Sequence, residues 1–183
     1  MNIEFIAPEH ADGELREIYQ RLGVSRGKIA KVHMAHSLNP KVLATHMEFY
    51  KATMFGESPL TRSEREMLAV VVSSSNECTY CLEHHAAALN HYWKNQARVQ
   101  CVANDFRSAD ISKLERAFCA LAESVTRNPK ECLGAIKDIR SLGGTDRVIH
   151  DATNVASYFN YVNRIVLSLG VELEAEGPSG FTY

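Results

Sequence analysis

Residues 60–85 read LTRSEREMLAVVVSSSNECTYCLEHH, and this stretch decides the fold. Thr61 and Ser63 are each followed three residues later by a glutamate, a pairing that satisfies free backbone amides at the start of a helix. An apolar run follows, and then the polar run 73–76, whose side chains compete for backbone hydrogen bonds. The stretch therefore predicts two consecutive helices, with a break at 73–76 and the second helix over about 77–91.

The rest of the chain repeats this helical pattern. Apolar residues recur at spacings of three and four, and no alternating stretch bounded by hairpin turns occurs. Ser112 and Glu115 form another capping pair, and Gly170 ends a long final helix. We therefore predict an all-α fold. Besides the two helices above, the predicted elements cover about 13–22, 41–55, 112–126, 129–142 and 145–169.

Length and composition are those of one domain. The chain has 183 residues, of which 45% are hydrophobic, which is enough for a single core. We predict one domain over 1–172 and a tail over 173–183 that is poorly ordered unless a partner subunit holds it. The formal charge of -2 is spread without a long run of one sign, so neither a nucleic acid nor a membrane is the expected partner. Without a secretory signal or an apolar run of spanning length, we expect a cytoplasmic protein.

The cysteines are the most informative residues for chemistry. An odd count of five without a secretory signal argues against a disulfide framework. On a helix, Cys81 lies about 60° and His85 about 20° from Cys78, so two thiols and one imidazole share a face. A helix start and a nearby imidazole favour the nucleophilic thiolate, and the helix-end position favours Cys78 as the thiol with the lower pKa. Peroxide could oxidise one thiolate to a sulfenic acid, which the second thiol would convert to a disulfide.

Glu66 and His84 are further candidates. A hairpin of the two helices would return Glu66 to the cysteine turn, where a carboxylate could orient His85 and accept protons through it. As the third residue after Ser63, Glu66 could equally be a capping glutamate. His84 lies about 120° from Cys78 and is the weaker catalytic candidate.

Other interpretations of these side chains stay open at this point. The cysteine pair could be small apolar side chains on a helix face. Alternatively, Cys78 and Cys81 could bind zinc with His84 or His85, although structural zinc sites usually draw on two separated pairs. Packing in the core is predicted for the remaining cysteines, and packing or surface roles for three scattered histidines. These residues are Cys101, Cys119, Cys132, His33, His36 and His46.

Together, Glu66, Cys78, Cys81 and His85 resemble the motif of the AhpD-like alkylhydroperoxidases of the carboxymuconolactone decarboxylase superfamily. That motif is a glutamate, then a CxxC pair, then a histidine one helical turn after the second cysteine. The remaining chain, to about residue 172, is similar to the peroxidase-related subgroup. The resemblance implies an all-α fold of packed helical hairpins that assembles as a homo-oligomer, either a trimer or a hexamer.

The same resemblance implies roles for the site residues. Cys81 would be the peroxidatic thiol and Cys78 the resolving thiol, with Glu66 and His85 as a proton relay. The implied substrate is hydrogen peroxide or an alkyl hydroperoxide, the implied partner is an outside dithiol reductant, and neither a cofactor nor a metal is implied. Tyr80 departs from the best-characterised members, which have histidine before the second cysteine, so part of the relay is missing or replaced.

Two other functions remain as alternatives. The same thiols could serve a redox-responsive or metal-binding helical oligomer with little turnover. The superfamily name also suggests lactone decarboxylation, but that chemistry does not depend on a cysteine pair. The leading hypothesis is therefore an enzyme, a thiol-dependent peroxidase.

Overall fold

The computed structural model describes residues 1–180, with only the backbone described at residues 25 and 26. Over that range the chain forms helices and no strand, which confirms the all-α prediction. Short 3-10 turns occur at Pro8–His10 and Pro129–Glu131. The α-helices are α1 (Gly13–Arg26), α2 (Lys31–Met34), α3 (Pro40–Phe55), α4 (Arg62–Ser75), α5 (Thr79–Trp93), α6 (Gln96–Asp105), α7 (Lys113–Arg127), α8 (Leu133–Ser141) and α9 (Asp146–Leu169).

The starts of two helices follow from their capping residues. At α4, the Thr61 hydroxyl accepts a hydrogen bond from the Glu64 amide, and the Glu64 carboxylate accepts one from the Thr61 amide. Ser112 and Glu115 form the same reciprocal pair at α7, as the sequence predicts. Because Glu64 and not Glu66 occupies the cap of α4, the Glu66 side chain is left to bind elsewhere.

A break between α4 and α5 is present, but it lies at 76–78, because α4 continues through residues 73–75, where the sequence predicts the break. After α4 ends at Ser75, Glu77 adopts a left-handed backbone conformation with a φ of 56°, which residues other than glycine adopt only at a cost. The chain reverses there, and Cys78 becomes the N-cap residue of α5, with its carbonyl oxygen accepting from the Leu82 amide. The two helices thus form a hairpin whose turn carries the first cysteine of the pair.

The centre of the molecule is α4. Its residues 65–73 are all buried, because an almost continuous apolar run needs neighbours on every side to leave water. Those neighbours are α5, α7 and α9. Leu68 of α4, Phe118 of α7 and Phe159 of α9 are among the largest fully buried side chains and belong to one core. The site residues of α4 and α5 are therefore attached to the buried centre of the domain.

Parts of the fold differ from the sequence prediction. The first helix continues to Arg26 and does not end near residue 22. The sequence analysis does not predict α6, although Asn95 caps it by accepting from the Arg98 amide. The first part of the predicted tail is hydrogen-bonded to the domain through Glu174, and the last three residues of that tail lie outside the described residues. No helix within residues 1–180 is long and apolar enough to cross a membrane.

Candidate active site

Cys78 and Cys81 lie at the start of α5, where the hairpin turn meets the core. Both are free cysteines, 1% and 2% exposed respectively. The Cys78 amide donates to the Ser73 carbonyl oxygen at 2.9 Å, which holds the turn against the end of α4. The structure therefore places both thiols at one helix start, out of contact with bulk water.

A hydrogen bond joins the two thiols. It lowers the pKa of Cys78 below its ordinary value, although burial opposes the change. The same hydrogen bond, together with burial, raises the pKa of Cys81 well above its ordinary value. Of the two thiols, Cys78 is therefore the one that loses its proton more readily, and the amides of the helix start also favour negative charge at Cys78.

Glu66 and His85 meet across the α4–α5 hairpin. Oε2 of Glu66 lies 2.6 Å from Nδ1 of His85, and Oε1 lies 2.7 Å from the Arg62 guanidinium one turn earlier on α4. Glu66 is 1% exposed, and the His85 ring packs edge-on against Phe159 with 4.4 Å between centroids. The carboxylate therefore orients the imidazole and accepts the hydrogen bond of its Nδ1–H, which leaves Nε2 as the ring nitrogen that exchanges protons with other groups. Arg62 is a site residue that the sequence analysis missed, although its position four residues before Glu66 is a recognisable helical ion-pair spacing.

A cavity of about 70 Å³ lies beside the Glu66–His85 pair. Cys81 lines this cavity, whereas Cys78 is not among its lining residues. A cavity of this size has room for a small peroxide. The polar side chains that line the cavity together with the Cys81 thiol are Glu66, Tyr80, His84 and His85. The lining also includes the rings of His33, His46, Tyr50, Tyr158 and Phe159.

Tyr80, which departs from the family motif, also lines the cavity, although the helical wheel places it away from Cys78. Its hydroxyl donates to Oε1 of Glu174 at 3.0 Å and accepts from the Val32 amide at 3.2 Å. Burial, and then the Glu174 carboxylate, raise the pKa of Tyr80, so its phenol stays protonated. Tyr80 thus serves as a hydrogen-bond donor to the segment after α9.

Glu174 ties that segment to two helices. Its Oε2 lies 2.9 Å from Nε2 of His84, and its Oε1 accepts from the Lys31 amide at 2.9 Å. Burial by itself would raise the pKa of Glu174, but the hydrogen bonds from His84 and the Lys31 amide lower it to about 2. The sequence analysis missed this residue, because Glu174 is 94 positions from Tyr80 and no local spacing connects them.

A cluster of amide side chains joins the end of α4 to α9. Asn163 of α9 is 0% exposed, its Oδ1 accepts from Nδ2 of Asn76 at 3.0 Å, and its Nδ2 donates to the Ser73 hydroxyl at 3.4 Å. Cys78 and burial raise the pKa of Cys81, and the Asn163 amide lowers it by a smaller amount. No spacing in the sequence assigns Asn163 to this site.

The remaining cysteines and histidines have packing roles. Cys119 is buried in the core, and the other two cysteines are partly exposed at its edge. The three scattered histidines are all buried, and two of them line the cavity. The two partly exposed cysteines are Cys101 and Cys132, and the three buried histidines are His33, His36 and His46. Within residues 1–180, no three histidine, cysteine, aspartate or glutamate side chains are grouped so that they could hold a metal ion.

Comparison with known proteins assigns this geometry to a family. The model of the carboxymuconolactone decarboxylase family matches residues 40–123. The crystal structure of an uncharacterized peroxidase-related protein from Silicibacter sp. TM1040 is 31% identical, covers 94% of this chain and 92% of its own, and has a TM-score of 0.85. This chain therefore belongs to the carboxymuconolactone decarboxylase superfamily, a class of all-α proteins. Within the superfamily it is an AhpD-like protein of the peroxidase-related subgroup.

Two further solved structures share the fold at lower identity. The alkylhydroperoxidase AhpD core of an uncharacterized peroxidase-related protein from Ralstonia eutropha JMP134 is 24% identical, covers 96% of this chain and 93% of its own, and has a TM-score of 0.87. The debrominase Bmp8 is 15% identical, covers 88% of this chain and 86% of its own, and has a TM-score of 0.76. The AhpD-like fold predicted from the sequence is thus confirmed, and the debrominase Bmp8 shares it.

Proposed function

We propose that this protein is a thiol-dependent peroxidase that reduces hydrogen peroxide or small alkyl hydroperoxides through a Cys78–Cys81 dithiol–disulfide cycle. The observation that most directly supports the proposal is the pair of buried free thiols at one helix start, one of which lines a cavity together with Glu66 and His85. A peroxidase of this kind needs a thiolate, a second thiol next to it and a group that moves protons. All three lie in one helical hairpin.

Cys81 is the proposed peroxidatic residue, because it lines the cavity and Cys78 does not. Cys78 loses its proton first in this scheme, and transfer of the Cys81 proton to the Cys78 sulfur then leaves the negative charge on Cys81. The Cys81 thiolate then attacks one peroxide oxygen, and the O–O bond breaks. The departing oxygen takes a proton from the His85 imidazolium, which Glu66 stabilises, and leaves as an alcohol or water.

The second half of the cycle uses the neighbouring thiol. Cys78 attacks the sulfenic acid sulfur of Cys81, water leaves, and the disulfide forms. An outside dithiol then supplies two electrons and two protons, which reopen the disulfide while the dithiol is itself oxidised. One of these protons returns to His85, which restores the starting state. The proposal requires a dithiol as the reductant and does not depend on which dithiol it is.

A single-turnover experiment tests the cycle. One equivalent of hydroperoxide added to the reduced protein should yield one equivalent of alcohol and a Cys78–Cys81 disulfide in the peptide mass map. Cys81→Ser should abolish peroxide consumption, whereas Cys78→Ser should stop at a sulfenic acid that a trapping reagent labels. Cys119→Ser is the matched control and should keep the rate, because Cys119 is a buried core residue of α7. An unchanged rate in Cys81→Ser would end the proposal.

Reductive dehalogenation of a small ring is a second candidate. Bmp8 is a debrominase, and one of its crystal structures is a complex with 2,3,4-tribromopyrrole, while the cavity of the present chain is walled partly by aromatic and imidazole rings. In that reaction the carbon–halogen bond breaks, the carbon gains hydrogen, halide leaves, and two thiols become a disulfide that supplies the two electrons. Measuring bromide released from tribromopyrrole beside hydroperoxide consumed by the same reduced protein separates the candidates. Bromide release without peroxide consumption would favour dehalogenation.

The proposal includes assembly into a homo-oligomer, a trimer or a hexamer. Val42 and Phe49 lie two turns apart on one face of α3 and are 40% and 44% exposed, and Tyr161 of α9 is 38% exposed. Exposed apolar side chains grouped on a surface often mark a subunit interface. Light scattering coupled to gel filtration should therefore give a mass well above that of one chain, and a monomer would contradict this part of the proposal.

A further inference from the structure

Two carboxylates hold neighbouring imidazoles of α5 at the same cavity. His84 and His85 both line the cavity together with Cys81. Glu66 of α4 holds His85, and Glu174, after α9, holds His84, with 2.9 Å between Oε2 of Glu174 and Nε2 of His84. The His84 and Glu174 side chains are 14% and 9% exposed, so little water competes for their hydrogen bond. The cycle described above uses the Glu66–His85 pair and leaves the second pair without a task.

That cycle also contains a proton transfer that His85 is in the wrong state to make. His85 gives its proton to the first leaving oxygen and regains one only when the outside dithiol reopens the disulfide. Between these events Cys78 attacks the sulfenic acid of Cys81, and the oxygen that leaves the sulfur needs a proton to depart as water. Cys81 lines the cavity and Cys78 does not, so this oxygen lies on the cavity side of the sulfur, away from the Cys78 proton. The proton donor is therefore expected in the cavity wall.

We propose that His84, held by Glu174, is a second catalytic acid of this site, which protonates the oxygen that leaves Cys81 when the disulfide closes. The inference rests on the proposed function. In this step the Cys78 sulfur bonds to the Cys81 sulfur, the sulfur–oxygen bond of Cys81 breaks, and water leaves with the proton of the His84 imidazolium. Cys78 is oxidised and the Cys81 sulfenic acid is reduced, so no outside oxidant or reductant takes part. The proton that Cys78 loses goes to solvent, from which His84 recovers one.

The position of His84 on α5 suits this role. It follows Cys81 by three residues, so the two side chains are neighbours on the surface of the helix. An ionised carboxylate can only accept, and the pKa of Glu174 is about 2, so Nε2 of His84 carries the hydrogen that Glu174 accepts. Nδ1 is then the ring nitrogen that exchanges protons with other groups.

Glu174 is the positioning residue of this pair. Its Oε1 accepts from the Lys31 amide at 2.9 Å and from the Tyr80 hydroxyl at 3.0 Å, so three donors fix the carboxylate that orients His84. The Tyr80 ring also lies beside the His84 ring, with 4.6 Å between centroids. Loss of the Glu174 charge should therefore slow the same step as loss of His84, but by less, because an imidazole without its carboxylate is still present at the cavity.

The test separates the two halves of a single turnover by rapid quenching. Reduced protein is mixed with one equivalent of hydrogen peroxide or tert-butyl hydroperoxide. Loss of peroxide measures O–O cleavage, and the trapped Cys81 sulfenic acid and the disulfide are quantified by mass. His84→Gln should keep the rate of peroxide loss within about twofold and slow disulfide closure about 100-fold, so that the sulfenic acid accumulates. His85→Gln should instead slow peroxide loss. His91→Gln, at the exposed end of α5, is the matched control and should change neither rate.

The outcomes distinguish this inference from the proposed function. Closure at the unmodified rate in His84→Gln would overturn the inference alone, since that protein would still consume peroxide. Equal slowing of both halves in His84→Gln would also overturn it, because a merely structural role gives that result. If the unmodified protein consumes neither peroxide, the proposed function fails and the inference with it. If His84→Gln does not fold, Glu174→Gln decides: it should slow closure about tenfold with peroxide loss unchanged, and an unchanged closure rate would overturn the inference.

Discussion

The carboxylate of Glu66 lies between two basic groups, and this position determines what His85 can do. Each oxygen contacts one of them, at 2.7 Å from Arg62 and 2.6 Å from His85. Capping does not account for the residue, because Glu64 takes that role. In the proposed mechanism His85 delivers a proton to the leaving oxygen and Glu66 is the carboxylate hydrogen-bonded to its ring, so the negative charge of Glu66, more than its shape, is the property the mechanism uses.

Replacing Glu66 by glutamine therefore separates charge from shape. The amide can still hydrogen-bond His85, but it no longer stabilises the imidazolium, and we expect the rate constant for peroxide reduction at pH 7 to fall about 100-fold. Rapid-mixing measurements on reduced protein from pH 5 to pH 9 provide the check. Glu64→Gln, on the same helix, should keep the rate. Equal rates for Glu66→Gln and the unmodified protein would remove the relay from the mechanism.

At the scale of elements, local signals predict the α4–α5 hairpin well. The capping pair, the apolar run and the polar break all lie within a few residues of the structure they specify, and the two helices appear where those signals place them. Glu174 and Asn163 could not be predicted in this way. Their partners Tyr80 and Asn76 lie 94 and 87 positions away in the chain. Contacts between residues so far apart in the chain leave no periodic pattern in a single sequence.

The capping pair of α7 should contribute to stability but not to chemistry. Ser112→Ala removes the hydroxyl that accepts from the Glu115 amide, and we expect a loss of about 1 kcal/mol in the free energy of unfolding. For a chain of this size that corresponds to a melting temperature lower by about 2–4 °C. Urea denaturation measures the free energy of unfolding, and calorimetry measures the melting temperature. Ser112→Thr, which retains a capping hydroxyl, should recover most of the loss, and failure to recover it would argue against capping as the cause.

Glu174 makes three of the hydrogen bonds that hold the segment after α9 to the domain, and the Lys31 ammonium, which donates to the Leu173 carbonyl oxygen, makes another. Glu174→Ala removes hydrogen bonds to Tyr80, His84 and the Lys31 amide, so amides at 173–177 should exchange with solvent at least about tenfold faster. Hydrogen-exchange mass spectrometry at pH 7 measures this. Glu176→Ala is the control, since that side chain is 71% exposed and 4.0 Å from its partner.

The lowered pKa of Glu174 gives the same segment a pH dependence. A carboxylate whose folded pKa is about 2 contributes stability that is present above its ordinary pKa near 4.5 and is lost as the pH falls toward 2. The unmodified protein should therefore release the segment in acid, whereas Glu174→Ala should show fast exchange at every pH. Slow exchange in that variant at pH 7 would mean that other contacts hold the segment.

At the scale of the whole molecule, the packing of α2, α3 and α9 buries imidazoles that stay neutral. His46 is 5% exposed, and burial, together with His36, lowers its pKa to about 3. Burial lowers the pKa of His36 as well. Nδ1 of His46 has no hydrogen-bond partner among the described residues. In the unfolded chain both imidazoles would be protonated below about pH 6.5, so the unfolded state binds more protons there and stability falls as the pH decreases.

Acid sensitivity of the domain should therefore decrease when His46 is removed. Each imidazole that stays neutral in the fold makes the free energy of unfolding fall by about 1.4 kcal/mol per pH unit below about pH 6.5. His46→Leu should reduce the slope between pH 6 and pH 4 by that amount and leave the dependence above pH 7 unchanged. Urea denaturation at several pH values measures the slope, and His10→Leu, at an exposed turn, is the control. An unaltered slope in His46→Leu would show that His46 takes up its proton in the folded protein, and that the acid sensitivity arises elsewhere in the core.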